Sequence, residues 1–350
     1  LIDQALARAG ALAWRLQQTG ITTETNPMFP RSIKRRVLFT AVLATAACSA
    51  LAQAPAKWPA KPVTLVVPYS AGGGTDIVAR ALAQRLAELW GQQVVVDNRT
   101  GANGVVGSAS VAKAAPDGHT LMMVVGSHAI NPVLMKQLPY DTPKAFTPIT
   151  RVADSPTVFV VAAGAPWKNL GDLVEAARKT EIPAGYSEGQ TRLTGELANQ
   201  AAGIKLSGVP YKGGAPIMVD VMGGHLPVGI TSVLSALPHV RAGKLRVVGV
   251  ADKQRTSVFP DAQTFHEAGV NGVESLSWYG LFGPAGLPPA IVAQINRDLK
   301  AVTAEPQLSK QLAEQGARVV LTPPDEFARF LAAETTKWGQ VAQRAGIQPE

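Results

Sequence analysis

Cysteine is all but absent: Cys48 is the only one in 350 residues. It falls in a segment that reads as removable, so no disulfide framework holds this fold together. Aromatic side chains make up only 6% of the chain, too few for a surface that stacks nucleic-acid bases. No apolar run approaches the ~20 residues that a bilayer span requires. The five histidines, His119, His128, His225, His239 and His266, show neither H-x-x-x-H nor H-E-x-x-H spacing, which removes the common zinc patterns. No metal or other cofactor is expected.

Charge of one sign is also scarcer than the net +8 suggests. Residues 1–52 carry +4 of it, from Arg8, Arg15, Arg31, Lys34, Arg35 and Arg36 against Asp3 and Glu24. The remaining +4 is spread without a basic cluster, so nucleic acid is not an expected partner. A mildly positive protein favours anionic solutes instead.

What the chain has in abundance is glycine (33) and proline (26). That density demands many tight corners, as an α/β protein requires. With 46% hydrophobic residues, a chain of this length can bury a core in each of two domains.

From Met28 the sequence MFPRSIKRRVLFTAVLATAACSALAQA runs from basic to apolar (Val37 to Ala47) to small residues at Ala50 and Ala52, the three-part pattern of a secretory signal peptide. Cleavage after Ala52 or Ala54 removes Cys48 and exports the rest, in a bacterial cell to the periplasm. Lipid anchoring at Cys48 is disfavoured, because Thr45 stands where an aliphatic residue is expected. Residues 1–27 resemble neither signal nor domain and read as upstream sequence included by a misassigned start.

Beyond the signal the chain alternates strand and helix. VTLVV at 63–67 is a buried strand, a glycine loop follows, and Val78, Leu82, Leu86 and Leu89 form one stripe of a helix from Asp76 to Trp90, stopped by Gly91. Further strands are expected at 94–96 and 121–125 with a helix over 105–115. The same grammar restarts with strand 157–163, helix 169–179, strand 182–186, helix 190–202, strand 206–210, helix 215–223 and strands at 226–231 and 245–251. A helix starting at Pro289 and another opened by Thr322-Pro323-Pro324 close the chain. The alternation predicts mainly parallel sheets, with the loops after the strands gathered at one edge where solutes bind.

The most informative of those loops is Tyr69-Ser70-Ala71-Gly72-Gly73-Gly74-Thr75-Asp76. Adjacent glycines before a helix let backbone N–H groups converge, and the positive helix end suits a carboxylate or phosphate. A flexible turn capped by Thr75 or Asp76 is the plainer alternative. No Gly-Lys-Ser/Thr follows, so this is not a nucleotide-binding Walker loop. Gly101-Ala102-Asn103-Gly104 either cradles an anion or permits close packing. Ser127, His128 and Asn131 follow the third strand and either hydrogen-bond a solute or form a solvated loop.

PYSAGGGTD, GANG, PDGHTL, VPYKGGAPIMVDVMGGH and WYGLFGPAGLPP, in this order and spacing, resemble the Bug-type periplasmic receptors, the receptors of tripartite tricarboxylate transporters; the similarity runs from about Trp58 to the C-terminus. The resemblance implies a periplasmic binding protein-like α/β fold, two lobes joined by a hinge with the ligand cleft between them. Lobe I would comprise 53–155 and 277–350 and lobe II 156–276, with hinge crossings near 153–158 and 272–279. It implies that Ser70, Ala71, Gly72, Gly73, Thr75 and Asp76 grip a carboxylate through backbone and ordered water, with Asn103, Ser127 and His128 beside them. Tyr211, Lys212, Gly213 and Gly214 match the family's YKGG loop in the second lobe. Where members usually carry a glycine- and serine-rich loop with a histidine, this chain has Tyr186-Ser187-Glu188-Gly189-Gln190-Thr191-Arg192; Ser187 and Gly189 remain candidates there. Arg192 either pairs with Glu188 or Glu196 or reaches a second anionic group. Thr231-Ser232 stand where an acidic or polar residue is frequent, which leaves Asp76 as the candidate partner for an amine.

The expected function is capture of a small carboxylate-bearing solute and its delivery, by a monomer, to membrane permease subunits or a sensor-kinase ectodomain. The rival is a serine hydrolase. Gly185-Tyr186-Ser187-Glu188-Gly189 fits the G-x-S-x-G elbow, and Asp220, Asp252, Asp261, His225, His239 and His266 could supply partners. No HGGG-type oxyanion loop precedes the serine, which counts against it.

Overall fold

The computed structural model describes residues 58–349. The expected signal segment 28–52, its Cys48 and the upstream residues 1–27 lie outside the described residues.

In chain order the elements are β1 (Val63–Val67), α1 (Gly74–Trp90), β2 (Val94–Asn98), α2 (Val105–Ala112), β3 (Thr120–Val124), α3 (Ser127–Leu134), α4 (Thr142–Ala145), β4 (Phe146–Ala162) and α5 (Leu170–Lys179). They continue with β5 (Ile182–Tyr186), α6 (Gly189–Ala202), β6 (Leu206–Pro210), α7 (Gly214–Met222), β7 (Val228–Ser232), α8 (Val233–Arg241), β8 (Leu245–Val250) and β9 (Leu276–Pro284). Last come α9 (Pro289–Ala304), α10 (Pro306–Glu314), β10 (Arg318–Val319) and α11 (Pro324–Arg344).

The first βα unit forms for local reasons. β1 is a nearly continuous run of buried β-branched and leucine side chains. α1 buries Val78, Leu82, Leu86 and Trp90, while Leu89, expected on the stripe, is 50% exposed. Gly91 ends the helix in the left-handed conformation, its amide on the Ala87 carbonyl.

One sheet has the order β2-β1-β3-β9-β4, parallel through its first three strands and antiparallel at β9 and β4. The other is built on the parallel trio β7-β5-β6, with β4 and β8 antiparallel to their neighbours. Each sheet is therefore mixed rather than mainly parallel, and β4 belongs to both. Its first part, Phe146 to Pro156, pairs with β9, and from Thr157 onward it pairs with β7 and β8. The sequence pattern predicts a strand only over 157–163, whereas the structure begins it at Phe146. The structure accommodates Pro148 beside a shift of register, where a missing N–H is tolerated.

Each lobe has its own core. Strands β1 and β3, helices α1 and α9 and the aromatic group Trp278, Phe282 and Phe327 enclose the first. Two clusters on opposite faces of the second sheet, one around Phe159 and Phe265 and one around Ile217, Met218 and Leu237, enclose the second. A smaller seam joins Ile130 and Leu134 of α3, Leu193 of α6 and Trp338 and Val341 of α11. Among the described residues no helix is long and apolar enough to cross a membrane.

Candidate functional site

The carboxyl ends of the parallel strands of both lobes face one gap, and four of them lead directly into helices. α1 starts after Gly73, α6 after Glu188, α7 after Gly213 and α8 after Ser232. All four starts line an inner chamber of about 40 Å3, which Tyr69, Ser70, Thr75, Thr191, Thr231, Ser235 and Tyr279 complete. An outer chamber of about 340 Å3 shares Tyr69, Ser187 and Glu188 with it and is lined by Asn103, Tyr186, Gly189, Arg192, Tyr211 and Lys212 among others. The inner space suits one small polar group, since a water's share of the liquid is about 30 Å3; the outer one is at the lower end of small-molecule sites.

Within the loop 70–76 the three glycine amides are already engaged. Gly72, at a left-handed φ of 77°, donates to Asp76 Oδ2 (2.9 Å), Gly73 donates to the Ser70 carbonyl (3.3 Å), and Gly74 donates across the gap to Ser235 Oγ (3.1 Å). Among the described residues the amides of Thr75 and Asp76, in the first turn of α1, meet no protein acceptor, and Ser70 Oγ has no partner. The expectation that the whole stretch fans its donors outward is thus corrected: three are used in holding the loop and the lobes.

Asp76 is a clamp rather than a wall residue. Its buried carboxylate accepts from Gly72 N, Arg80 Nε (2.9 Å) and Asn98 Nδ2 (3.0 Å) and lines neither chamber. Burial disfavours its charge, but Arg80, the Gly72 amide and Asn98 outweigh burial and hold the carboxyl below the ordinary range. Ala71 and Gly72 are exposed and also line neither chamber.

Residues 127–134, expected as a loop, form buried helix α3. Ser127 Oγ bonds the Tyr69 hydroxyl from behind the wall. His128 is placed in the core, 4.9 Å from the Phe146 ring and 4.8 Å from Phe282 between centroids. Burial pushes its imidazole down to about 3, so it is neutral, and it lines neither chamber. Asn131 exchanges hydrogen bonds with Asn103, donating to its carbonyl (3.1 Å) and accepting from its side chain (2.5 Å). So held, at a left-handed φ of 53°, Asn103 accepts from the Gly189 amide across the gap (3.1 Å).

The second wall turns on Glu188, which caps α6 by accepting from Gln190 N (2.9 Å) and Thr191 N (3.3 Å), while Ser187 N and Glu188 N donate to Thr191 Oγ1. The Tyr211 hydroxyl donates to Asp220 Oδ2 at 2.6 Å. Lys212 is exposed at the outer chamber. Arg192 lies 6.0 Å over the Tyr186 ring and lines the same chamber. Gly213 and Gly74 sit where the lobes touch: a Cβ on the first would overlap the Ser70 hydroxyl, and one on the second would overlap the hydroxyls of Tyr279 and Ser232. Among the described residues no group of His, Cys, Asp or Glu is placed to hold a metal.

Residues 78–347 match the family model described as tripartite tricarboxylate transporter family receptor. The chain belongs to that family. Protein BugT of Bordetella pertussis is 33% identical over 297 residues, 83% of this receptor and 91% of BugT. An uncharacterised-family protein from a tcbD-tcbE intergenic region of Pseudomonas sp. (strain P51) is 33% identical over 310 residues, 87% of this chain and 92% of that one. Among solved structures, R. palustris Rpa4515 with adipate superposes with TM-score 0.81 at 35% identity over 84% of this chain and all of that one. The periplasmic binding protein BugD gives 0.80 at 30% identity, covering 84% of this chain and 100% of BugD. MatC (Rpa3494) from Rhodopseudomonas palustris with bound malate gives 0.76 at 29%, covering 81% and 99%. The two-lobed α/β fold expected from the sequence is the fold of this receptor and of these relatives.

The receptor's wall also contains features that sequence reasoning did not single out: Glu188 and Thr191 as a reciprocal cap, Ser232 as a helix cap, and Ser235 and Tyr279. A serine directly after a strand and three residues before another serine is a helix-start signal. Pro238, inside the helix, obscures that signal in the sequence.

Proposed function

We propose that this receptor captures a small organic acid between its lobes, with one carboxylate in the inner chamber and the remainder in the outer. The observation that carries this reading is the meeting of four helix N-termini around a space for a single small polar group. Free amides and hydroxyls there attract an anion without a counter-charge. Contacts with the carboxylate fall to Ser70, Gly73, Thr75, Gly213, Gly214 and Thr231, with Tyr69 and Ser187 where the chambers meet. Asn103, Gly189, Tyr211 and Lys212 flank the rest of the solute. Asp76, Ser127 and Asn131 act one step back, as holders of the wall. The adipate and malate in the solved relatives support the ligand class.

In this reading residues 58–155 and 277–349 move as one lobe and 156–276 as the other, turning where β4 changes partner. The exported monomer hands its solute to the membrane subunits of a tripartite carrier, or to a sensor-kinase ectodomain. Binding rather than turnover is the role of the receptor family to which the chain belongs. Ser187 stands between β5 and α6 as a nucleophile elbow would, and Asp220, one of its candidate partners, is hydrogen-bonded by Tyr211.

A thermal-shift screen of the exported chain against carboxylic acids and their amides tests the proposal. A true ligand at a hundred times its Kd stabilises by about 2.7 kcal/mol, and its amide does not. If no acid raises Tm, the receptor reading of this cleft is wrong.

A further inference from the structure

The inner chamber is walled almost entirely by neutral donors, and one side chain breaks that pattern. Glu188 is 7% exposed and lines both chambers, yet no lysine, arginine or histidine is among the described residues lining the inner one. Its carboxyl oxygens each accept one amide of α6, which leaves further lone pairs, and a donor O–H once the group is protonated, for a group seated in the space. One more polar atom of this wall, Ser70 Oγ, is buried without a partner among the described residues, while the Tyr279 hydroxyl meets Ser232. Buried polar groups are normally satisfied, so Glu188 and Ser70 together offer hydrogen bonds to a group seated in this one small space.

An organic acid seated here brings a second carboxyl against Glu188. Two carboxylates this close do not both ionise; one keeps a proton. The groups around Glu188 do not relieve the conflict. Tyr69, from the loop after β1, and Tyr279, on β9, are phenols that burial keeps protonated. Arg192, on the same helix, and Tyr186, Tyr211 and Lys212 line the outer chamber, where they face the other end of a solute.

Resting on the receptor reading above, we infer that Glu188 binds the solute as the neutral acid, donating a hydrogen bond to the seated carboxylate, so that capture takes up one proton from solvent. Burial already pushes the Glu188 carboxyl up to about 7 from its ordinary 4.5, so near neutral pH the group is half-way to the required protonation state. The folded chain then holds a proton that the unfolded chain releases, and stability falls as pH rises from 4.5 to about 7.

Titration calorimetry in two buffers of different ionisation enthalpy, with adipate, malate or the acid that most raises Tm in the screen above, reads the proton directly. Uptake should be near zero at pH 5.5 and approach one per solute at pH 8.5, with affinity falling towards tenfold per pH unit above about 7. Glu188→Gln should abolish the uptake, flatten the pH profile and remove the loss of Tm between pH 5 and 8 in the free protein. Binding without proton uptake at pH 8.5, or preference for an amine or amide over the acid, overturns the inference while leaving the receptor reading intact. If no acid binds at any pH, the receptor reading falls and this inference with it. Should Glu188→Gln fail to fold, the wild-type uptake alone decides.

Discussion

The two walls of the cleft are built from the same parts, a strand end, a short loop and a helix start, yet they are held differently. On the first wall the loop 70–74 is tied to its own lobe by Asp76, whose carboxylate binds Gly72, Arg80 and Asn98 together. On the second, the starts of α6 and α8 are capped by their own Glu188 and Ser232, the start of α7 has no side-chain cap, and hydrogen bonds reach the first wall across the gap from Gly189 to Asn103 and between Ser235 and Gly74. The first wall is thus shaped before the lobes meet. The second is completed by the meeting. A preformed half reduces the ordering cost of capture, and a half finished by closure couples capture to a change the membrane partner can read.

The largest effect should come from a substitution at the point where the two walls touch. Gly213 has extended backbone that any residue adopts, but its Cβ would overlap Ser70 of the opposite wall. Gly213→Val is expected to weaken solute binding at least about a hundredfold, or 2.7 kcal/mol, while circular dichroism of the free protein stays unchanged. If affinity survives, the walls do not meet as described.

Asp76→Ala should act on the first wall alone, leaving the Gly72 amide, Asn98 and Arg80 without their acceptor. Loss of a buried, charge-assisted hub costs about 2–3 kcal/mol, visible as a fall in the urea midpoint without solute. Because the carboxyl of Asp76 is held below its ordinary range, its contribution is in place above about pH 4 and lost as pH falls through the lowered pKa. The wild-type advantage over the variant should therefore shrink in acid. An unchanged difference at low pH would mean that charge is not what holds the loop.

Ser235→Ala is the mildest probe. It removes the acceptor of the Gly74 amide and should cost about 1 kcal/mol in solute affinity with little change in the stability of the free protein. An equal loss in both would place the bond inside the resting fold rather than in closure.

Much of this architecture was legible in the sequence, and the parts that were not share a cause. The units β1–α1, β5–α6 and β6–α7 follow from β-branched runs, glycine loops and periodic stripes, all local signals. The start of β4, helix α3 and helix α8 were hidden by Pro148, Pro132 and Pro238. Proline ordinarily ends an element, but here it lies at a shift of register in the first case and within a helix in the other two. In the cleft, glycine density marked the right loops but not the fate of their donors. Gly74 finds its acceptor 161 residues away, and Asn98, at the end of β2, carries no sign in sequence that it will reach Asp76. His128 stood at a strand end where site residues gather, yet a helix turned it towards Phe146 and Phe282.

The long strand β4 has a consequence for how evolution can tune such a molecule. A chain that runs unbroken through both sheets and trades partners between Pro156 and Thr157 gives the lobes no slack tether; their relative angle is written into the twist of one ribbon. Substitutions along that ribbon, far from any solute, would then retune how tightly the jaws rest together, and a new preference for length or girth of cargo could arise without touching the residues that greet it.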